Sequence, residues 1–361
     1  MPYTWTTGET ITAAKLNPTV VSLTAAQTAN TWRYRQDMTT ARWGLAGGAL
    51  SGYVYSIGGF TTANVATVER FDPNTNSWIS RTSIGTARRE LATATVGSYL
   101  YAFGGIATGN VSTNEQYDAS ANTWTSKASM GTARRQLAGA SDGTYAYSLG
   151  GYTTTQVATV ERYDPTANTW ASRTSMGTAR YSLAGAYLGG YVYTFGGRTT
   201  SYLATTERYD PVANTWASRT SMNTARDQLA GSTDTSYVYS YGGNNGTTPL
   251  TTTEQHDPVA NTWTAKAGLN QGRYGLGGAH VGSYAYAFGG FVTANPGVAT
   301  MERYDPSGTS AVNYTSDGNR LVVPYGEATL TNQTTGVSAS VIFAKNGDVI
   351  ATDVDTDVLV F

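Results

Sequence analysis

The sequence predicts an all-β protein: a six-bladed β-propeller closed by its own N-terminal strand, with a short helix-bearing segment before it and a small C-terminal β-unit after it. Three observations carry that prediction. One unit recurs six times. Each unit breaks into four short strand-like stretches separated by turn residues. The sixth unit lacks its last stretch, and a spare copy stands ahead of the first.

The period is read from four residue types. Glycine pairs begin at Gly58, Gly104, Gly150, Gly196, Gly242 and Gly289, 46 residues apart except for a last step of 47. Arg42, Arg88, Arg134, Arg180, Arg226 and Arg273 keep the same steps, and Glu69, Glu115, Glu161, Glu207, Glu254 and Glu302 run beside them. Tryptophan recurs at Trp32, Trp78, Trp124, Trp170, Trp216 and Trp263. Self-similarity of this kind marks an array of like units, each burying its apolar face against the next.

Residues 180–216, RYSLAGAYLGGYVYTFGGRTTSYLATTERYDPVANTW, show how a unit divides. A small Gly/Ala-rich strand lies around 183–187, and a Tyr-alternating strand over 191–195 runs into the glycine pair. A third strand over 203–209 leads into E-R-Y-D-P, and a fourth over 215–218 carries N-T-W. Gly-Gly, Asp-Pro and the Ser-Met-Gly-Thr loop punctuate them. Four antiparallel strands per unit make one propeller blade. In the last unit Tyr304-Asp305-Pro306 is not followed by a Trp strand, whereas Ala29-Asn30-Thr31-Trp32 stands 46 residues ahead of Trp78. That strand is expected to complete the sixth blade and remove the open sheet edges, which sets the propeller at 28–306. The glycine pair is expected to turn where a Cβ would collide, the Trp and Tyr rings to pack between sheets, and the sixfold Arg and Glu to pair or to cap buried backbone.

Composition excludes several functions. Of 361 residues 13% are charged, about half the usual ~25%, and net charge is −1. No Lys/Arg cluster offers a groove for nucleic acid or an anionic membrane. Cysteine is absent and there are two histidines, His256 and His280, so thiolate chemistry, disulfides and a multi-histidine metal site are out. No run reaches the ~18 apolar residues of a membrane span, and MPYTWTTGET has no signal-peptide pattern. No cofactor is expected.

The glycine doublet, the Y-D-P, the spaced Trp and the closing Met-x-x-x-R, present as S-M-G-T-A-R or a near copy, resemble the kelch repeat. The resemblance covers about three quarters of the chain. His256 replaces the blade-five tyrosine, and that blade ends G-L-N-Q-G-R. Kelch relatives include copper-dependent galactose oxidases, whose site needs histidines and a cysteine-linked tyrosine that this chain lacks. They also include sialic-acid epimerases, which need no metal.

Residues 1–27 form a separate segment. Thr12 and Asn17-Pro18 look like helix starts, and Leu16, Val20, Leu23 and Gln27 would share a mostly apolar face. Trp5 to Asn17, W-T-T-G-E-T-I-T-A-A-K-L-N, is similar to N-terminal segments of bacteriophage tail-fibre and baseplate-associated proteins. That resemblance implies docking to phage tail or baseplate proteins, a location in the virion after assembly in the host cytoplasm, and a homotrimer, since fibres are usually trimers. Residues 307–361 alternate as strands over Arg320–Pro324, Ala328–Asn332, Ser338–Phe343 and Asp348–Ala351, with a hairpin at Asn346-Gly347. Asp353, Asp355 and Asp357 read as a solvated acidic face, because calcium needs more oxygen ligands in a turn.

The chemistry-bearing residues single out no acid/base pair. Glu90, Asp142, Asp227 and Asp234 are the acids that vary between blades, and His280 stands at a varied strand position with no triad motif around it. The near-identical units point elsewhere, to the positions where they differ. The residue after the repeat arginine is Trp43, Arg89, Arg135, Tyr181, Asp227 and Tyr274; the residue after the glycine pair is Phe60, Ile106, Tyr152, Arg198, Asn244 and Phe291. Both loops lie on one face of the disc, so these residues are expected to converge, exposed, around the mouth of the central channel. Aromatic rings with Arg, Asp and Asn suit recognition of a host-surface glycan or protein. The expected function is a non-enzymatic phage tail-fibre receptor-binding protein. The alternatives are a bacterial kelch adhesin or lectin and an epimerase-type sugar-modifying enzyme.

Overall fold

The computed structural model describes residues 30–293 and 297–306 in full, and the backbone of strands Val21–Thr24, Glu327–Asn332, Ser338–Phe343 and Val349–Asp353. Two compact units emerge, Trp32–Tyr304 and the two chain ends, Met1–Thr31 with Asp305–Phe361.

The larger unit is the six-bladed propeller. Blade 4 is typical: strands Ala184–Leu188, Tyr191–Phe195, Thr206–Asp210 and Thr215–Arg219 pair antiparallel in chain order from the channel outward. The third strand starts later than the sequence suggested. The carbonyls of Leu203, Ala204 and Thr205 are taken by Arg226 N, Met222 N and Gly196 N, which ties them to loops instead of a ladder. In the sixth sheet Thr31–Arg35 is the outermost strand, against Met301–Asp305. The ring therefore closes with the first propeller strand and the last one side by side, as the sequence indicated.

Apolar burial is divided into six clusters, one at each boundary between blades. Each outer-strand Trp reaches the neighbouring sheet: Trp78 lies 5.7 Å from Phe288, Trp170 5.4 Å from Phe103, and Trp32 5.1 Å from Tyr241. The same strand entrance clamps the neighbour's backbone. Asn122 Oδ1 accepts from Thr82 N at 3.1 Å, and Trp124 Nε1 donates to Thr82 O at 2.8 Å. Asn168 and Trp170 hold Ala128 in the same way, and Asn214 and Trp216 hold Thr174. This explains the A-N-T-W repeat: the Asn bends the chain in the left-handed region (φ 54° at Asn122), so its side chain and the Trp two residues on reach one peptide.

The repeat arginine and glutamate are joined in every blade. Arg88–Glu115, Arg134–Glu161, Arg180–Glu207 and Arg273–Glu302 approach to 2.5, 2.8, 2.6 and 2.6 Å, Arg42–Glu69 to 3.2 Å, and Arg226 pairs with Glu254. All six arginines are fully buried. The other carboxylate oxygen accepts the backbone N–H of the loop entering the blade, as Gly131 N does to Glu161 at 2.6 Å. The arginine carbonyl accepts the second glycine N–H of the preceding blade, Gly59 N to Arg88 O at 2.9 Å. A Cβ on Gly58 would come within 2.5 Å of that carbonyl, so the doublet is needed for close approach as well as for its positive φ.

The smaller unit is a four-stranded antiparallel sheet in the order Val21–Thr24, Glu327–Asn332, Ser338–Phe343, Val349–Asp353. The helical face expected over residues 16–27 is corrected here: Val21–Thr24 is a strand, with Leu23 opposite Leu330. Apolar–polar alternation in V-S-L-T suits a half-buried strand, and a partner strand from the other chain end overrides the weak helical periodicity. The remainder of that expectation, the Trp5–Asn17 motif, Arg320–Pro324 and Asn346-Gly347 lie outside the described residues.

Glu161→Ala leaves Arg134 buried without its anion and is expected to cost about 3–5 kcal/mol in a denaturant titration; a loss below about 1 kcal/mol would show the pair is not structural. Trp32→Ala should destabilise the whole propeller in one transition, by about 3–5 kcal/mol, as much as Trp263→Ala. A separate early transition would mean that the closing strand is an accessory.

Candidate functional site at the channel mouth

The two variable residues of each blade are hydrogen-bonded to one another. Trp43 N donates to Phe60 O at 3.1 Å and Phe60 N to Trp43 O at 2.8 Å; the same two-bond bridge joins Arg89 to Ile106, Arg135 to Tyr152, Tyr181 to Arg198, Asp227 to Asn244 and Tyr274 to Phe291. Each bridge follows directly from the buried arginine on one side and the glycine pair on the other. The scaffold thus sets twelve side chains at one mouth of the channel in six equivalent pairs.

Around the mouth the first member of each pair leans toward the preceding blade. Trp43 meets Phe291 edge-on at 6.5 Å, Arg89 lies over Phe60 at 4.9 Å, and Tyr181 meets Tyr152 at 5.3 Å. Within blades, Trp43 and Phe60 are 5.4 Å apart and Tyr274 stacks on Phe291 at 4.9 Å, while Arg135 covers Tyr152 at 5.0 Å. The mouth has two chemical halves. Blades 6 and 1 supply four contiguous aromatic rings, and blades 2 to 5 supply Arg89, Arg135, Arg198, Asp227 and Asn244 among tyrosines. The expectation of exposed side chains is corrected: all twelve are at least half-buried and Asp227 is 2% exposed, because the bridges crowd them onto one another.

Sequence reasoning placed none of the further contributors at this mouth, though it singled out Glu90 as a varied acid. One residue inward from the first set stand Gly44, Glu90, Gln136, Ser182, Gln228 and Gly275, all with φ between 50° and 62°. Their backbones form a closed ring of hydrogen bonds: Glu90 N to Gly44 O, Gln136 N to Glu90 O, Ser182 N to Gln136 O, Gln228 N to Ser182 O, Gly275 N to Gln228 O and Gly44 N to Gly275 O, at 2.6 to 2.9 Å. Glu90 reaches both Arg89 (3.9 Å) and Arg135 (3.4 Å); burial raises its carboxyl pKa, and the two arginines oppose that rise. Asn64 ties blade 1 to blade 2, accepting from Arg89 at 2.7 Å and donating to Ile106 O at 3.1 Å, and Asn110 repeats the link to Tyr152 O one blade on. Their sequence signal is a residue six beyond the first glycine, which changes from Asn64 and Asn110 to Gln156 and Tyr202.

Below the ring, a channel of about 260 Å³ is lined by small inner-strand residues, with Tyr187 and His280 the bulky exceptions. Burial lowers the pKa of His280. Asp142 and Asp234 belong to hairpins, where each accepts a tyrosine hydroxyl, Tyr147 or Tyr239, at 2.7 Å. His256 is wholly buried between Tyr193 and Trp263, in the tyrosine's place.

Asp227 stands apart. Burial pushes its carboxyl up to about 6, against the pull of Arg198. A folded-state value above the ordinary one favours the protonated form, so stability is fullest below pH ~4 and is lost as pH rises through ~6. Asp227→Asn should remove that slope and stabilise the protein at pH 7–8 by about 1–3 kcal/mol. A denaturant series from pH 4 to 8 with parallel wild-type and variant curves would refute this.

Kelch motif matches cover residues 44–83, 87–131, 133–177 and 179–223. No curated protein matches the chain. The four matched segments are the first four of six equivalent sheets, and the fifth and sixth keep the same buried Arg–Glu pair, glycine doublet and Trp contact. The chain is a kelch-repeat β-propeller.

Proposed function

We propose that this chain is a non-enzymatic recognition protein, the receptor-binding subunit of a phage tail fibre, holding a host-surface glycan or protein at the mouth of its propeller. One observation carries the reading. Blades that copy one another in their Arg–Glu pairs, glycine doublets and Trp clamps differ at twelve side chains, and those twelve stand in six backbone-bonded pairs around one mouth. A scaffold held constant under a varied ring suits recognition. The kelch propeller is also a common protein-binding scaffold. A catalytic reading would need one blade to carry an acid and a base in reach of each other, and Asp142 and Asp234, two of the varied acids, are engaged in hairpins.

The fibre setting rests on the likeness of Trp5–Asn17 to tail-fibre and baseplate-associated segments. In that setting the N-terminal segment docks on the tail and the subunits form a homotrimer. A bacterial kelch adhesin or lectin fits the propeller equally well, and the genes adjoining this one distinguish the two.

Trp43→Ala, Arg89→Ala and Tyr181→Ala combined should reduce adsorption of the purified protein to susceptible cells at least tenfold while circular dichroism still reports the native sheet. Adsorption equal to wild type would remove this face from recognition. A glycan array run beside a turnover assay is expected to give binding without product; product would return the epimerase-type reading.

A further inference from the structure

Resting on the recognition role of this face, the geometry points to the ligand class and the subsite: a neutral saccharide residue whose hydroxyl bridges Asp227 and Arg198, beside the Tyr274–Phe291 ring wall.

Asp227 is 2% exposed and its Oδ1 has no hydrogen-bond partner; Arg198 Nε, in the neighbouring blade, has none either. A buried acceptor and a buried donor, each without a hydrogen-bond partner, can both be satisfied by one suitable ligand group. Arg198 influences the Asp227 carboxyl through space, yet no ion pair forms between them. Instead, the guanidinium lies over Tyr202 at 4.8 Å and donates weakly to its hydroxyl at 3.4 Å. A hydroxyl matches this arrangement: it donates to the carboxylate oxygen and accepts from the guanidinium at once. A cationic ligand would meet Arg198, and an anionic one Asp227, so a neutral polyhydroxylated group is favoured over both. The wall beside it fits as well. Tyr274, close enough to feel the Asp227 charge, is backed by Phe291 at 4.9 Å and 29°, a platform for the apolar face of a pyranose. Both unsatisfied atoms are buried in the free protein, so the hydroxyl is admitted by a small opening between the half-buried Arg198 and Tyr274 side chains, which stay as its donor and its wall.

The charged and titratable groups around Asp227 are Arg198 from blade 4 and Tyr274 from blade 6, with Tyr202 beyond Arg198. Asp227 is the one carboxyl of this group, so acid should act on the site through it. Accepting a hydroxyl proton requires the carboxylate, and binding should weaken as pH falls.

Saturation-transfer NMR with glucose-, galactose- and mannose-based oligosaccharides on the full-length protein provides the test. At least one set is expected to show transfer at pH 7.5, with affinity falling about tenfold at pH 5 and about tenfold or more in Asp227→Ala and Arg198→Ala. Retained binding in both variants overturns the subsite. No transfer from any oligosaccharide overturns the saccharide class. In either case, loss of cell adsorption in the Trp43/Arg89/Tyr181 triple variant leaves the wider recognition face standing; if that loss is also missing, the face itself is wrong.

Discussion

The structure depends on a buried arginine–glutamate pair repeated in every blade. Burying two charges is costly, and such a pair contributes little net stability compared with apolar residues of the same volume. Its value here is positional. Through its side chain, Arg134 joins Glu161 and Ser148; through its carbonyl it takes the N–H of Gly105 in the preceding blade. Glu161 meanwhile holds the incoming loop at Gly131. One pair thus fixes three pieces of backbone from two blades, and the next residue along the chain is a variable one. The positions free to differ are those held by the most constrained neighbours.

The same constraint produces the ring of left-handed residues. Glycine accepts this conformation freely, whereas Glu90, Gln136, Ser182 and Gln228 each carry a cost of about 1 kcal/mol or more. Each also gains one backbone hydrogen bond worth about 1 kcal/mol, within a closed cycle in which every peptide polarises the next. The two effects roughly cancel. What decides the backbone is the geometry forced by the bridges on either side, so glycine is not required there and side chains of other kinds are tolerated over the channel.

Much of this was legible in the sequence because the fold is repeated. Six copies of Arg, Glu, Gly-Gly and Trp at one period give blade number, strand order and the closing role of Thr31–Arg35 without any long-range inference. That the two variable sets would share a face also followed; the backbone bonding of Trp43 to Phe60, and of each later pair, did not. Burial did not follow. Asp227 looks like any loop carboxylate in the sequence, and only the convergence of Arg198 and Tyr274 from different blades encloses it. The left-handed ring was equally hidden, since Glu and Gln carry no turn signal. Val21–Thr24 was misread for a related reason: Leu16, Val20 and Leu23 have helical spacing, but the strand that pairs with 21–24 comes from some 300 residues later in the chain, beyond the reach of local periodicity.

The two halves of the mouth follow from the composition of that hidden ring. In blades 6 and 1 the ring residue is glycine, Gly275 and Gly44, and there the four aromatic rings gather, with Trp43 Cε3 at ordinary contact distance, 3.7 Å, from where a Cβ on Gly275 would stand. In blades 2 to 5 the ring residue carries a side chain, and Glu90 draws Arg89 and Arg135 inward. Bare backbone beneath one half leaves space for large flat groups. Polar side chains beneath the other half recruit charge. A molecule resting on this mouth therefore meets an apolar platform at one end and hydrogen-bonding groups at the other, an asymmetry that six identical blades could not present.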